Sequence, residues 1–299
     1  MFKKLLNSLP HWSEHCHPLP SLSSLNSKVD VLRLDQIDEK VSGNKPLKLL
    51  GWFKCFLQQP QQVLLSFGGV YSNHLHALAY AAHEFSIPVV FIVRGWADQP
   101  LTPTLADCQA LGAQIVFVDR QTYAKRYDRH WQAELAQQYD ALVIPEGGAG
   151  ELGEQGCALL APLAAEYDEV WLAVGSGTTA LGLAKGLSDL GASTLVVGVN
   201  AVADQGEQAK SWQKTMPKGV EWRLIDDAHF GGFAKCPPEL VQLIKRYQQQ
   251  GLPLDPVYTA KLIWAYEQSV LRLAPTKTVK TLIIHSGGLQ GQRGLQQAF

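Results

Sequence analysis

Glu169-Val170-Trp171-Leu172-Ala173-Val174 runs directly into Gly175-Ser176-Gly177-Thr178-Thr179, and helix-period sequence follows as far as Leu190. An apolar run, a glycine-rich turn and an amphipathic segment make the strand–turn–helix unit of an α/β protein. The run is continuous rather than alternating, the pattern of a strand buried on both faces of a parallel sheet. At the turn, glycines leave backbone N–H groups uncovered, the hydroxyls of Ser176, Thr178 and Thr179 stand beside them, and a helix begins with its electropositive end. That combination suits a phosphate. The same residues also make a tight turn with a hydroxyl helix cap, so spacing alone leaves both readings open.

The unit recurs in both directions along the chain. Further strands are expected at Val29–Leu34, Val63–Phe67, Pro88–Arg94, Ala113–Asp119, Ala141–Pro145, Thr194–Val199 and Thr281–His285. Helix-period stretches separate them at His74–Glu84, Leu101–Leu111, Asp128–Tyr139, Glu151–Glu166 and Pro238–Gln250. The expected fold is therefore α/β: open, mainly parallel sheets flanked by helices. Three more strands end in glycine pairs, Gly68-Gly69, Gly147-Gly148 and Gly287-Gly288. Ligands of open α/β sheets sit at such carboxyl ends, where backbone must come close, so a bound cofactor is expected.

Two other phosphate motifs are weaker fits. Gly177 and Gly182 have the spacing of a Walker A loop, but Leu183-Ala184 follow where Lys and a hydroxyl are needed. Gly175-x-Gly177-x-x-Ala180 satisfies a relaxed dinucleotide pattern, yet the next strand ends at Val199-Asn200 with no acid for a ribose. A nucleotide-binding α/β protein remains the alternative from another class.

Composition narrows the partners. The chain has 299 residues, 46% hydrophobic and 18% charged, with 26 Lys+Arg against 27 Asp+Glu for a net charge of -1. That balance gives no electrostatic basis for nucleic-acid or membrane-surface binding, and a small-molecule partner is expected. Cys16, Cys55, Cys108, Cys157 and Cys236 are scattered, odd in number and without a CxxC pair; they read as reduced, mostly buried thiols and not as a zinc site or disulfide framework. The basic-apolar start Met1-Phe2-Lys3-Lys4-Leu5-Leu6 stops at Asn7-Ser8, too short for a secretion signal, and no run reaches membrane-spanning length. A cytoplasmic protein is expected.

Two further segments carry candidate chemistry. Ser42-Gly43-Asn44-Lys45-Pro46-Leu47-Lys48-Leu49 leads into an apolar helix with Lys45 at its head. Lysine forms Schiff bases with carbonyl cofactors when partly desolvated, though an exposed one is merely solvated. Ser66-Phe67-Gly68-Gly69-Val70-Tyr71-Ser72-Asn73-His74 is a strand end, a glycine turn and a helix start. Ser72 or Asn73 caps that helix, or binds a carboxylate or an aromatic hydroxyl.

In this order, Gly43-Asn44-Lys45-x-x-Lys48-Leu49, Gly69-x-x-Ser72-Asn73-His74, Ile144-Pro145-x-Gly147-Gly148, the Gly175–Thr179 loop, Leu254-Asp255-Pro256-Val257-Tyr258-Thr259-x-Lys261 and His285-Ser286-Gly287-Gly288 resemble one family. It is that of the D-cysteine desulfhydrases and 1-aminocyclopropane-1-carboxylate (ACC) deaminases, pyridoxal phosphate enzymes on the fold-type-II scaffold of the tryptophan synthase β-subunit. The resemblance implies that Lys45 holds pyridoxal phosphate as a Schiff base and moves the substrate's Cα proton, and that Asn73 bonds its phenolic oxygen. Gly175, Ser176, Gly177, Thr178 and Thr179 would hold the phosphate, and Ser286 would lie near the pyridine nitrogen. Ser72 and Tyr258 would act on the substrate from opposite sides, with Tyr71, Asn73 and His74 completing its pocket.

The resemblance also implies two domains, a larger one from residues 1–45 and 153–299 and a smaller one from 46–152, with the cofactor in the cleft between them, and a homodimer. ACC deaminases carry Glu after the DPVY tyrosine and Leu in H-x-G-G; D-cysteine desulfhydrases carry Thr at both. Here Thr259 and Ser286 are both hydroxyls. That points to α,β-elimination from a small amino acid, D-cysteine first, with an ACC deaminase or another amino-acid lyase next and a non-catalytic cofactor-binding protein behind them. Leu47 stands in place of the family's Arg, Tyr71 in place of Gln, and Leu289-Gln290-Gly291-Gln292-Arg293-Gly294 in place of Ala-Pro-Ala-Leu. These departures touch the substrate side more than the cofactor side.

Overall fold

A computed structural model of the chain describes residues 2–20, 28–38, 40–232, 235–273 and 279–295. Its strands are β1 (Cys16–Pro18), β2 (Lys28–Arg33), β3 (Val63–Gly68), β4 (Val89–Arg94), β5 (Gln114–Val118), β6 (Ala141–Ile144), β7 (Glu169–Val174), β8 (Leu195–Asn200), β9 (Trp222–Ile225) and β10 (Lys280–His285). The helices are α1 (Phe2–Ser8), α2 (Lys45–Phe56), α3 (Asn73–Glu84), α4 (Pro103–Ala110), α5 (Arg120–Ala124), α6 (Arg129–Tyr139), α7 (Glu151–Cys157), α8 (Ala161–Ala164), α9 (Thr178–Asp189), α10 (Glu207–Thr215), α11 (Pro238–Gln249), α12 (Thr259–Leu273) and α13 (Gln292–Leu295).

The strands form two sheets. One has the order β1-β2-β10-β7-β8-β9 and is parallel except for the edge strand β1, which runs antiparallel to β2. The other, β5-β4-β3-β6, is parallel throughout. The continuous apolar runs are buried on both faces. In the six-stranded sheet Leu32, Leu172 and Ile284 pack with Leu47 and Leu183, while their neighbours Val31, Trp171 and Ile283 pack with Leu243 and Ile263. In the four-stranded sheet Leu64 and Phe91 pack with Leu49, Phe53 and Leu78, and Leu65 and Ile92 pack with Tyr123 and Leu135. Each such fully buried aliphatic or aromatic side chain contributes roughly 1.5–3 kcal/mol.

Chain order reverses between β7 and β10: the chain steps outward through β8 and β9, then returns to pair β10 with β7 on its other side. A crevice opens at the carboxyl ends of strands flanking such a reversal. The Gly175–Thr179 loop leaves β7 there, and Ser286-Gly287-Gly288 leaves β10. Helix α2 belongs to both cores, Leu47 to one and Leu49, Leu50 and Phe53 to the other. It also crosses α7 closely. A Cβ on Gly156 would lie 1.9 Å from Leu47 O, and one on Gly51 would lie 2.2 Å from Leu152 O.

The structure adds elements that the apolar-run reading passed over. β1 is three residues long and β9 is Trp-Arg-Leu-Ile, so neither is a continuous apolar run. The expected helix Glu151–Glu166 is broken into α7, a 3₁₀ turn at Ala158–Leu160 and α8, with Pro162 in the first turn of α8. Helices α1, α5, α10, α12 and α13 lie outside the expected helix stretches. Cys108 and Cys157 are buried, whereas Cys16, Cys55 and Cys236 are only partly so, and all five are free. Among the described residues no helix is long and apolar enough to cross a membrane.

Candidate active site

Asn44 ties three of the sequence blocks together. It stands at the N-cap position of α2, its backbone N–H donates to Ser286 O at 3.1 Å, and its Nδ2 donates to Thr179 Oγ1 at 2.9 Å. Its Oδ1 accepts from Lys45 Nζ at 2.6 Å. Gly43 makes this approach possible: its φ is +82°, and a Cβ there would lie 1.9 Å from Ser286 O. Lys45 is thus fixed at the first position of α2, between the loop after β7 and the turn after β10.

The Lys45 amine is pulled down from 10.5 to about 7, first by desolvation and then by the neighbouring charge of Lys48, against opposing pulls from Asp255 and Cys157. Lys48 lies one helical turn further on, is buried, and donates from Nζ to Ser176 Oγ at 3.3 Å. Its own pKa is lowered by burial. Lys48 thus reaches the loop directly, and Lys45 is tied to it through Asn44.

The loop joins β7 to α9 with no side-chain cap on the helix. Gly177, at φ +77°, precedes the first turn of α9, and Ser176 Oγ and Thr178 Oγ1 are 2.9 Å apart. Gly175 faces Tyr258, whose ring would stand 3.0 Å from a Cβ at that position. Burial, reinforced by the charges of Asp255 and Glu146, raises the Tyr258 pKa, so its phenol stays neutral. Asp255 is fully buried and places Tyr258: Oδ2 accepts from the backbone N–H of Val257 and Tyr258, Oδ1 from the N–H and hydroxyl of Thr259. Just beyond, the buried Lys261 ammonium donates to the carbonyls of Ala201, His229 and Gly232 at 2.7–3.1 Å.

On the other sheet, Ser72 caps α3 and accepts from Leu75 N–H at 3.3 Å. Asn73 Oδ1 accepts from Gln290 Nε2, and Tyr71 O accepts from the same nitrogen at 3.3 Å. His74 is buried, not open to the crevice. Its Nε2 lies 2.8 Å from Ser66 Oγ, which itself donates to Ile144 O. Burial and the two lysine charges bring His74 down to about 3, so it is neutral at physiological pH. The structure thus brings Lys45, the Gly175–Thr179 loop, Tyr258 and the Ser286 backbone together. It gives Ser72 a capping role and seats His74 behind them.

His285 anchors the last block. Its Nε2 lies 2.7 Å from Pro253 O and its Nδ1 3.0 Å from Asp35 Oδ1. Burial would raise the Asp35 pKa, but hydrogen bonds from Arg33 and His285 outweigh it and hold the carboxyl below its ordinary range.

Lys48, Asp255 and Gln290 received no role from the sequence. Lys48 carried a usable signal, three residues after Lys45 on one helix, and Asp255 stands before Pro256 in a turn. Gln290 had none, because the contact with Asn73 spans 217 residues.

The site fits pyridoxal phosphate. The glycine turn, the hydroxyls, the start of α9 and the Lys48 amine suit its phosphate. The buried Trp212 Nε1 has no hydrogen-bond partner among the described residues and lies 3.3 Å from where a Cβ on Gly177 would be, a spare donor beside an anion cradle. An amine of pKa about 7 suits condensation with an aldehyde.

Comparison with known proteins agrees. The family described as pyridoxal-phosphate dependent enzyme matches residues 16–287. A Thermotoga maritima protein named as a candidate 1-aminocyclopropane-1-carboxylate deaminase is 30% identical over 299 residues, covering 92% of this chain and 94% of that one. A D-cysteine desulfhydrase of Klebsiella pneumoniae is 27% identical over 294 residues, covering 90% of each. The crystal structure of an ACC deaminase homologue superposes with a TM-score of 0.79 at 25% identity, covering 95% of this chain and 91% of that one.

Proposed function

From the premise that the chain belongs to the pyridoxal-phosphate-dependent enzyme family, we propose that it is a lyase removing a β-substituent from a small amino acid, D-cysteine first. D-cysteine and water would give pyruvate, ammonia and hydrogen sulfide. The observation that carries the reading is the Lys45 amine, desolvated to a pKa of about 7 and held by Asn44 against the loop of Gly175–Thr179.

The cofactor would be carried on Lys45, with Asn73 on its phenolic oxygen, the Gly175–Thr179 loop and Lys48 on its phosphate, and Ser286 nearest its pyridine nitrogen. When bound, pyridoxal phosphate supplies an aldehyde for the substrate amine and a conjugated ring that accepts the electron pair left at Cα. The chain's residues supply the rest. Lys45 Nζ takes the Cα proton, since a pKa of about 7 leaves a substantial share of the amine as free base at neutral pH and most of it above. Ser72 and Asn73 offer polar groups to the substrate carboxylate. Tyr258, kept neutral, offers a phenol and not a charge on the opposite side. Thiolate leaves from Cβ, and water completes the release of ammonia.

The hydroxyl pair favours the desulfhydrase. Thr259 Oγ1 is occupied by Asp255, and each Asp255 oxygen already accepts two donors. Asp255 is thus committed to its own turn, and the Ser286 hydroxyl, not an acid, would be the group left for the pyridine nitrogen of a bound cofactor. Such a ring is a weaker electron sink, sufficient where a thiolate departs and less so for opening a cyclopropane. The candidate-deaminase name of the Thermotoga relative supports ACC as the second reading. Free cysteines and the family resemblance support a cytoplasmic homodimer as the working form. The span of the four-stranded sheet, all between Val63 and Ile144, supports a division into 46–152 and the remainder.

Purified protein supplied with pyridoxal phosphate should release pyruvate and sulfide in equal amounts from D-cysteine, and Lys45→Ala should lose both turnover and the visible absorption band. Release of 2-oxobutyrate and ammonia from ACC without sulfide from D-cysteine would transfer the assignment to the deaminase. A visible band with no product from any small amino acid would make it a binding protein.

A further inference from the structure

Gln290 sits where four polar groups meet, and its partners fix which way its amide points. Oε1 accepts from Thr104 Oγ1 at 2.6 Å and from Arg293 Nη2 at 3.3 Å. A guanidinium can only donate, so the atom facing it must be oxygen. Nε2 faces Tyr71 O, and a carbonyl can only accept, so the atom facing it must be nitrogen. Arg293 is itself held by Asp107 Oδ2 at 2.8 Å. The same Nε2 reaches Asn73, which must therefore present its Oδ1 to Gln290.

This leaves Asn73 Nδ2 as the atom turned the other way. It lies 2.8 Å from where a Cβ on Gly288 would be. Gly288 leaves it room, in the turn whose preceding residue, Ser286, binds Asn44 beside Lys45. An unanchored asparagine amide could present either oxygen or nitrogen, and only nitrogen can serve a phenolate.

We propose that Gln290 is a positioning residue that locks the Asn73 amide with its Nδ2 donor toward the cofactor's phenolic oxygen. The proposal rests on the pyridoxal phosphate reading of the site and names a residue in the segment that departs from the family pattern. Gln290→Glu removes the donor: Asn73 would turn its Nδ2 to the new carboxylate and its Oδ1 to the phenolic oxygen.

The test is a double-mutant cycle read by equilibrium dialysis of pyridoxal phosphate and by the pH midpoint of the visible band. Q290E should weaken cofactor binding roughly ten- to a hundredfold, the loss of one hydrogen bond to a charged acceptor. It should also move the midpoint to higher pH, because the ionised oxygen loses its donor. Asn73→Ala should weaken binding by itself, and adding Q290E to N73A should change the constant by less than about twofold, since no amide remains to orient. If Q290E weakens binding as much in N73A as in the wild type, or leaves the wild-type constant unchanged, Gln290 does not act through Asn73. Should Q290E not fold, Gln290→Met, equal in length and without a donor, enters the same cycle. A wild-type chain that takes up no pyridoxal phosphate would overturn the cofactor reading itself, a result separable from an additive cycle in a protein that binds it.

Discussion

Lys45 has to be a nucleophile before it can be anything else, and its surroundings decide when it is one. Desolvation and the charge of Lys48 bring it from 10.5 to about 7. Below that value the amine is protonated and cannot attack an aldehyde; above it the free base is already dominant. The rate at which apoprotein takes up pyridoxal phosphate should therefore rise about tenfold per pH unit below pH 7 and level off above it. Lys48→Met removes a positive neighbour, so the Lys45 pKa should rise and the break in the profile should move to higher pH. Stopped-flow absorbance across pH 5–9 on both proteins checks this, and a Lys48→Met break that stays put or moves down would mean that Lys48 does not act on Lys45. The two lysines could be read from sequence as a pair on one helix. Their electrostatic coupling, and the Asn44 side chain that holds Lys45, required the fold.

At the scale of elements, the site depends on how closely α2 can lie on α7. Gly156 is the contact point, with Leu47 O 1.9 Å from where its Cβ would be. Gly156→Ala must push the helices apart, and overpacking of this kind costs typically 1–3 kcal/mol. Because Lys45 and Lys48 ride on α2, cofactor affinity should fall together with the urea midpoint. An Ala variant of normal stability and affinity would show that the helices can part without moving the lysines. The glycine turns at strand ends were legible because the residues are consecutive and their chemistry is local. The element edges that failed were those where sequence pattern and tertiary context disagree. β1 is short and polar, β9 gains its place by pairing with β8 and by packing Trp222 and Leu224 on the core, and Pro162 interrupts a helix whose apolar period runs on through it. The Gln290–Asn73 contact was invisible for a different reason, since nothing in a strand or helix period announces a pairing of two side chains from opposite ends of the chain.

The whole molecule joins two sheets through one helix. Leu47 packs into the core of the six-stranded sheet, while Leu49, Leu50 and Phe53 pack into that of the four-stranded sheet, and Leu159 lies against both. Phe2 adds a tie, its ring 5.0 Å from that of Phe53, while Leu5 from the same helix lies in the other core. Chains of this size commonly unfold in more than one step, because separate cores melt separately. Here neither core can lose α2 without exposing the other, so unfolding should be a single transition. Tryptophans in both halves make this measurable: Trp171 and Trp212 are buried in the six-stranded part, and Trp131 packs against Phe67 in the other. Tryptophan emission and far-ultraviolet circular dichroism should coincide in urea. Leu47→Ala, fully buried and lost from one core only, should cost about 2–5 kcal/mol. If α2 couples the cores, the mutation moves both signals to the same lower midpoint. If the cores are independent, it splits them, lowering the six-stranded part and leaving the emission of Trp131 where it was.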